Sequence, residues 1–423
     1  MRVRITPGKA RGRIEAPPSK SMAHRLLIAA ALSEGRSRVD HLASSEDISA
    51  TIDCLRALGT VIATGNGGAD VSGTWFSGRG TLKSEDKDLR PSGDSGGETL
   101  ILPVRESGST LRFLIPIVLS LGIPARFTGA KRLFARPLSV YEELARKEGF
   151  RFERGEDSLF VSGRLSPGSY TIPGNISSQF ISGLLFALPG LPECSTLTVL
   201  PPIESRPYID MTMAALREFG IETHWENETT IRIPGNQRGQ GRALRVEGDY
   251  SNAAFLEILN FLGGTVQIEG LDPGSLQGDR IYTEYFAALR NGFSDLDLSD
   301  CPDLGPVLFA AAAAGAGGRF TGTARLRIKE SDRCLAMQEE LLKFGISCEN
   351  REDSFTVLPG ELRKPEETLY GHNDHRIVMA LSSLLTRTGG EIEGAEAVRK
   401  SWPEYFESLE TLGIEVTQNA VDQ

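Results

Sequence analysis

The chain has 423 residues, with 46 Lys and Arg against 56 Asp and Glu, a formal net charge of −10 and 40% apolar residues. The acidic total argues against nucleic-acid binding, which needs a broad basic surface. It leaves anionic small molecules open, because local fields decide what a cleft attracts.

At the start of the chain, Met1 to Pro17 shows neither an apolar signal core nor a cleavage site, so no secretory leader is expected. The longest uncharged apolar stretch, Phe113 to Ala125, is shorter than the roughly 20 residues a bilayer requires. Cys54, Cys194, Cys301, Cys334 and Cys348 lack framework spacing and read as reduced thiols. A cytoplasmic protein without membrane or nucleic-acid partners, and a monomer, is expected.

From Ser19 onward one pattern returns six times. A helix opens on small polar residues and runs through Ala- and Leu-rich sequence. A β-like stretch, a loop and an amphipathic helix ending at a glycine follow. The openings are Ser19-Lys20-Ser21, Ser107-Gly108-Ser109, Asn175 to Ser178, Tyr250-Ser251-Asn252, Cys301-Pro302-Asp303 and Asn373-Asp374. The closing glycines are Gly59, Gly149, Gly220, Gly292, Gly345 and Gly413. Runs such as Leu26 to Leu32 carry no charge and read as helices buried on every side. Cys334, Met337, Leu341 and Phe344 recur at helical spacing on one face, the mark of a surface helix. Thr196 to Leu200 and Thr265 to Ile268 read as strands. The pattern predicts an α/β fold of six repeated units in two halves. The chain is expected to pass between halves at Ala16-Pro17-Pro18 and at the glycine-rich run Gly235 to Gly241, giving one lobe over 18–242 and another over 1–17 plus 243–423.

Each opening is a helix N-terminus with unpaired N–H groups and a positive dipole end, a construction that collects anions. The first carries Lys20, Ser21 and Arg25; it lacks the glycines of a Walker loop. The second carries Gly108, which lets a ligand approach backbone closely, and Arg112 on its first turn; Arg136 follows. The third offers Ser177, Ser178 and Gln179 as uncharged donors. Taken singly, each is equally an ordinary N-cap. In the second half, charged runs containing Lys329, Glu330 and Arg333, then Arg376, then Lys400 precede helices. Asp303, a carboxylate among these cations, reads as a general base or a plain cap. His372 and His375 lie three apart, but no Cys-x-x-Cys accompanies them, and no metal is expected.

Taken together, the motifs resemble the 5-enolpyruvylshikimate-3-phosphate synthase family of enolpyruvyl transferases. They are Pro-Pro-Ser-Lys-Ser at 17–21 with Arg25, Ser-Gly-Ser-Thr-Leu-Arg at 107–112, Ala-Arg-Pro-Leu at 135–138 and Ser-Ser-Gln-Phe at 177–180. With them go Ser-Arg-Pro-Tyr at 205–208, Lys-Glu-Ser-Asp-Arg at 329–333, Asn-Asp-His-Arg at 373–376 and the Lys400 segment. The resemblance implies a two-domain inside-out α/β barrel, built from six βα folding units, with the active site in the cleft between domains. It implies transfer of the carboxyvinyl group of phosphoenolpyruvate to the 5-hydroxyl of shikimate 3-phosphate, releasing phosphate, in aromatic amino acid biosynthesis. No cofactor is implied.

Carried over residue by residue, Lys20, Gly108, Arg136, Gln179, Arg333, Arg376 and Lys400 would hold phosphoenolpyruvate. Ser21, Arg25, Ser177, Ser178, Gln179, Ser205, Asp303 and Lys329 would hold shikimate 3-phosphate. Arg112 would support its loop. Asp303 would be the base, and Glu330 or Lys20 the acid. Glyphosate would bind in the phosphoenolpyruvate pocket. Glu106 stands where members of the family commonly have Asn, and Arg325 where some members have Asn; Glu106 is expected to turn away or to pair, with Arg105 the candidate partner. The competing readings are a transferase acting on UDP-N-acetylglucosamine, an RNA 3′-phosphate cyclase and a non-enzymatic binder of phosphorylated metabolites. The first typically carries a reactive Cys in the region equivalent to 105–136, where this chain has none.

Overall fold

The structure is a computed structural model describing residues 1–73 and 99–419. Its thirteen α-helices among those residues are α1 (Lys20–Ala31), α2 (Glu46–Ala57), α3 (Gly108–Leu121), α4 (Lys131–Ala135), α5 (Ser139–Glu148), α6 (Ser178–Ala187) and α7 (Arg206–Glu218), then α8 (Tyr250–Phe261), α9 (Tyr282–Asn291), α10 (Gly305–Ala314), α11 (Arg333–Lys343), α12 (His375–Thr388) and α13 (Tyr405–Thr411). Six of them, α1, α3, α6, α8, α10 and α12, begin at or within a few residues of the six predicted openings. Ser107, Ser177, Asp249 and Asp374 cap four of them through side-chain oxygens, each accepting a backbone N–H of the first turn. The glycines predicted to end the amphipathic helices all have positive φ, from 77° at Gly149 to 136° at Gly292. A side chain would be strained in that conformation.

Six sheets are formed by the described residues, and three share one complete plan. Leu100–Arg105 pairs in parallel with Ala125–Gly129, with α3 as the crossover. Ser158–Ser162 then pairs antiparallel with Ala125–Gly129, and Arg151–Arg154 takes the edge. A parallel pair needs such a crossover, and an uncharged helix supplies one that can be buried. The same order recurs around α6 and around α10.

The other three sheets use strands distant in sequence. Arg2–Ile5 sits between Gly390–Glu393 and Val416–Asn419, supplying the inner hairpin position to the last repeat. Arg11–Glu15 precedes α1 in sequence but pairs in parallel with Thr265–Glu269, the strand after α8. Ala243–Arg245 precedes α8 but pairs in parallel with Ser33–Asp40, the strand after α1. The leading strands of two repeats are thus exchanged.

The chain divides into two compact units, Lys20–Val246 and Met1–Ser19 with Glu247–Gln423. Each has its own apolar core, formed around α1, α3 and α6 in one and around α8, α10 and α12 in the other. The glycine-rich run at 235–241, expected to be a crossing, is packed within the first of these. A Cβ at Gly235, Gly239 or Gly241 would fall within 2.3 Å of Glu193 O, Ser33 Oγ or Arg36 O. These glycines serve close backbone approach, not linker flexibility. The chain leaves this unit at Val246.

Candidate active site

In the unit Lys20–Val246, polar side chains link the openings of five helices. Lys20 begins α1, and its Nζ lies 2.9 Å from Asp47 Oδ2 in the first turn of α2. Arg25, one turn along α1, is 3% exposed. It donates from Nε to Thr212 Oγ1 at 2.8 Å and from Nη2 to Tyr208 O at 2.9 Å, both on α7, and lies over the rings of Phe113 and Tyr208. Burial pulls its pKa down to about 10. Arg112 donates from Nη1 to Gln179 Oε1 at 2.9 Å, and Gln179 Nε2 donates to Ser109 Oγ at 2.9 Å. The Gln179 amide is therefore oriented from both ends, between α3 and α6. Gly108 lies beneath two guanidinium groups. A Cβ there would be 2.8 Å from Arg112 Nη1 and 2.9 Å from Arg136 Nη1. Ser205 heads α7 in the left-handed conformation, φ 55°, which costs a non-glycine residue about 1–2 kcal/mol.

The second unit assembles a denser cluster at the openings of α8, α10, α11 and α12. Arg333, 1% exposed at the start of α11, donates Nε to Asp374 Oδ2, Nη1 to Asp303 Oδ1 and Nη2 to Glu330 Oε2, each at 2.8 Å. Arg376 donates Nη2 to Asp303 Oδ2 at 3.1 Å and Nη1 to Ser251 Oγ at 2.5 Å. Lys329 Nζ lies 3.5 Å from Asp303 Oδ1. Lys400 Nζ donates to Asn373 O at 2.7 Å. Both His372 and Asn373 have positive φ, so the turn that presents this carbonyl is held against the usual backbone preference.

Asp303 and Lys329 are perturbed by these contacts. Burial pushes the Asp303 carboxyl up, but Arg376, Lys329 and Arg333 outweigh it and hold it well below the usual carboxylate range. Burial brings Lys329 down to about 8, against the opposing pull of Asp303. Asp374, fully buried, is also lowered, burial being outweighed by Arg333.

Across most of the chain, residues 5–409 match the profile of EPSP synthase (3-phosphoshikimate 1-carboxyvinyltransferase). The chain belongs to the EPSP synthase family. Relatives named 3-phosphoshikimate 1-carboxyvinyltransferase include one from Clostridioides difficile strain 630, 36% identical over 97% of both chains. Another, from Clostridium acetobutylicum, is 37% identical over 98% of both. In fold the chain is similar to EPSP synthase from Acinetobacter baumannii, with TM-score 0.75 at 23% identity over 99% of this chain and 100% of that one. It is also similar to the enolpyruvyl transferase NikO from Streptomyces tendae, with TM-score 0.76 at 13% identity over 100% and 99%.

Within this EPSP synthase family member, the sequence-assigned residues fall into two sets. Lys20, Ser21, Arg25, Gly108, Arg136, Ser177, Ser178, Gln179 and Ser205 stand in the unit Lys20–Val246. Asp303, Lys329, Glu330, Arg333, Arg376 and Lys400 stand in the other. Four details bear on the expectations. Asp303 lies in the 3-10 turn Pro302–Leu304, and no side chain caps the helix that follows, so the plain-cap reading of Asp303 falls. Arg105 donates to Asp53 at 2.5 Å, where pairing with Glu106 was one of two expectations. Glu330, the expected acid, is ion-paired to Arg333, a contact that favours its charged form. Arg325 is buried and donates to Ser299 O.

Four contributors were given no role of their own in the sequence reading: Asp47, Ser251, Ser331 and Asp374. Ser331 Oγ donates to Asp374 Oδ2 at 3.0 Å, so Asp374 both caps α12 and anchors Arg333. Only its place beside His375 and Arg376 marked it in the sequence. His372 Nε2 lies 3.1 Å from Glu340 Oε1. Among the described residues no group of three or more His, Cys, Asp or Glu is placed to hold a metal, and no helix is long and apolar enough to cross a membrane.

Proposed function

We propose that the chain transfers the carboxyvinyl group of phosphoenolpyruvate to the 5-hydroxyl of shikimate 3-phosphate, and that both clusters serve this one reaction. The observation that carries the reading is Asp303: a carboxylate beside three cations, in a chain of the EPSP synthase family. The six-fold recurrence of buried helices, four of them crossing between paired parallel strands, supports the inside-out barrel architecture of six units.

In the addition step, the 5-hydroxyl oxygen bonds to the central carbon of phosphoenolpyruvate. Asp303 takes the hydroxyl proton, and the methylene carbon gains one from Glu330 or Lys20. In the elimination step the bond to phosphate breaks and the methyl group returns its proton. Lys20, Gly108, Arg136, Gln179, Arg333, Arg376 and Lys400 hold phosphoenolpyruvate. Ser21, Arg25, Ser177, Ser178, Gln179, Ser205, Asp303 and Lys329 hold the sugar phosphate. The cations stabilise charge as it develops on the reacting oxygens and hold two anions in attack geometry.

Phosphate release on mixing shikimate 3-phosphate with phosphoenolpyruvate tests the reading. Asp303→Ala should abolish turnover while still binding shikimate 3-phosphate in titration calorimetry. Wild-type protein that binds both compounds without releasing phosphate would leave only a binding protein.

A further inference from the structure

A chain of buried hydroxyls runs through three helices of the unit Lys20–Val246. His24 Nδ1 lies 2.7 Å from Thr51 Oγ1, which lies 2.7 Å from Thr110 Oγ1, which lies 2.7 Å from Ser107 Oγ. None of the four residues is more than 1% exposed. They sit on α1, α2, the first turn of α3 and the cap of α3.

Counting protons gives the chain a direction. Thr110 donates its single hydroxyl proton to Ser107 Oγ, which also accepts the Thr110 N–H at 3.3 Å. Toward Thr51, Thr110 can then only accept, so Thr51 donates to it at 2.7 Å, in preference to the Asp47 carbonyl oxygen at 3.4 Å. With its proton spent, Thr51 can only accept from His24. His24 must therefore carry its proton on Nδ1 and leave Nε2 bare, and Nε2 has no hydrogen-bond partner. Burial, aided by Lys20 and Arg25, holds the imidazole pKa well below its ordinary value, so the ring is neutral.

We propose that His24, Thr51 and Thr110 form a one-way relay that positions the Ser107-Gly108 opening of α3, and with it the phosphoenolpyruvate subsite. The inference rests on the reading of Gly108 as part of that subsite. Lys20 lies one turn before His24 on α1, and its partner Asp47 one turn before Thr51 on α2. The relay thus fixes the Lys20 ion pair and the Gly108 turn relative to each other. None of its members touches substrate in this account; they are positioning residues.

The test uses the full chain. Thr51→Val keeps the shape and removes the hydroxyl, breaking its contacts to both His24 and Thr110; with about one hydrogen bond's worth of that loss reaching the subsite, it should raise the phosphoenolpyruvate KM about five-fold and leave kcat and the shikimate 3-phosphate KM unchanged. Thr51→Ser should restore the wild-type value. Long-range 1H–15N spectra of the wild type at neutral pH, with His24 assigned by its absence in His24→Asn, should show a neutral ring protonated on Nδ1. A ring protonated on Nε2, or on both nitrogens, overturns the relay even if neither Thr51 variant folds. An unchanged phosphoenolpyruvate KM in Thr51→Val, or an equal rise for both substrates, overturns the positioning role. If Gly108→Ala leaves both KM values unmoved while the spectrum is as expected, the subsite reading has failed and the relay has not.

Discussion

Replacing Gly108 with Ala separates stability from function. Gly108 is the first residue of α3, so Ala is conformationally welcome and should stabilise the helix by about 0.4–1 kcal/mol through the unfolded chain. The added methyl group meets Arg112 Nη1 at 2.8 Å and Arg136 Nη1 at 2.9 Å. Both are far ends of flexible side chains, so each guanidinium can retreat by about 0.5 Å, to ordinary contact near 3.4 Å. For Arg136 the retreat weakens its hold on an anion. At an effective dielectric constant of about 20, lengthening an ionic contact from about 2.9 to 3.4 Å costs about 0.8 kcal/mol. That is about a four-fold loss of affinity. Steady-state phosphate release should show the phosphoenolpyruvate KM raised by about that factor and glyphosate inhibition weakened at least as much, with the melting temperature equal or higher. An unchanged KM together with unchanged glyphosate inhibition would refute the assignment of this turn to the phosphoenolpyruvate subsite. A sharp fall in melting temperature would refute the claim that the two guanidinium groups can give way.

Two further predictions concern the other cluster. Asp374→Asn removes the buried carboxylate that accepts from Arg333 Nε and Ser331 Oγ, leaving Arg333 with Asp303 and Glu330. Breaking a buried pair outright costs about 3–5 kcal/mol; with two partners remaining, about 2–3 kcal/mol should be lost, read from urea unfolding near neutral pH. The native carboxyl is held below its unfolded value, so its contribution is present above about pH 4 and lost as pH falls through the folded pKa. Wild type and variant should therefore converge in acid; an offset that persists there would count against the ion pair as its source. Lys329, brought down to about 8, should make shikimate 3-phosphate binding weaken as pH rises past that value, a break that Lys329→Met should erase. Because the unfolded lysine keeps its proton to about pH 10.4, folding stability should rise with pH between those two values; a falling contribution would contradict the stated direction.

The helices were legible and the sheet partners were not, for a physical reason. A helix is closed by bonds four residues apart, so an uncharged run such as Leu26 to Leu32, with Lys20 before it and a glycine-ended amphipathic helix after it, carries its own evidence. A strand's partner is fixed by registry with distant sequence. Nothing local in Arg11–Glu15 says that it pairs with Thr265–Glu269, 254 positions along in register. Glycine was ambiguous in the same way. Gly235, Gly239 and Gly241 look like a linker until the atoms within 2.3 Å of their missing side chains, Glu193 O, Ser33 Oγ and Arg36 O, are known.

The cations of the site were legible by type and place, but their counter-ions were not. Asp47 drew no reading of its own, and Asp374 was marked only as part of a helix opening. Both positions are consistent with local physics alone; their pairing with Lys20 and Arg333 is a tertiary fact.

The role proposed for Asp303 as the base has to be reconciled with the low pKa of its carboxyl. Lys329, Arg333 and Arg376 all lie against Asp303, and Arg333 also holds Glu330 and Asp374, so the Asp303 carboxyl is ionised but weakly basic. An anionic substrate that takes up any of these cations withdraws stabilisation from the Asp303 carboxylate and brings a like charge near it. Both changes raise its pKa. The proton-accepting strength of Asp303 should thus appear only when the anions to be joined are in place.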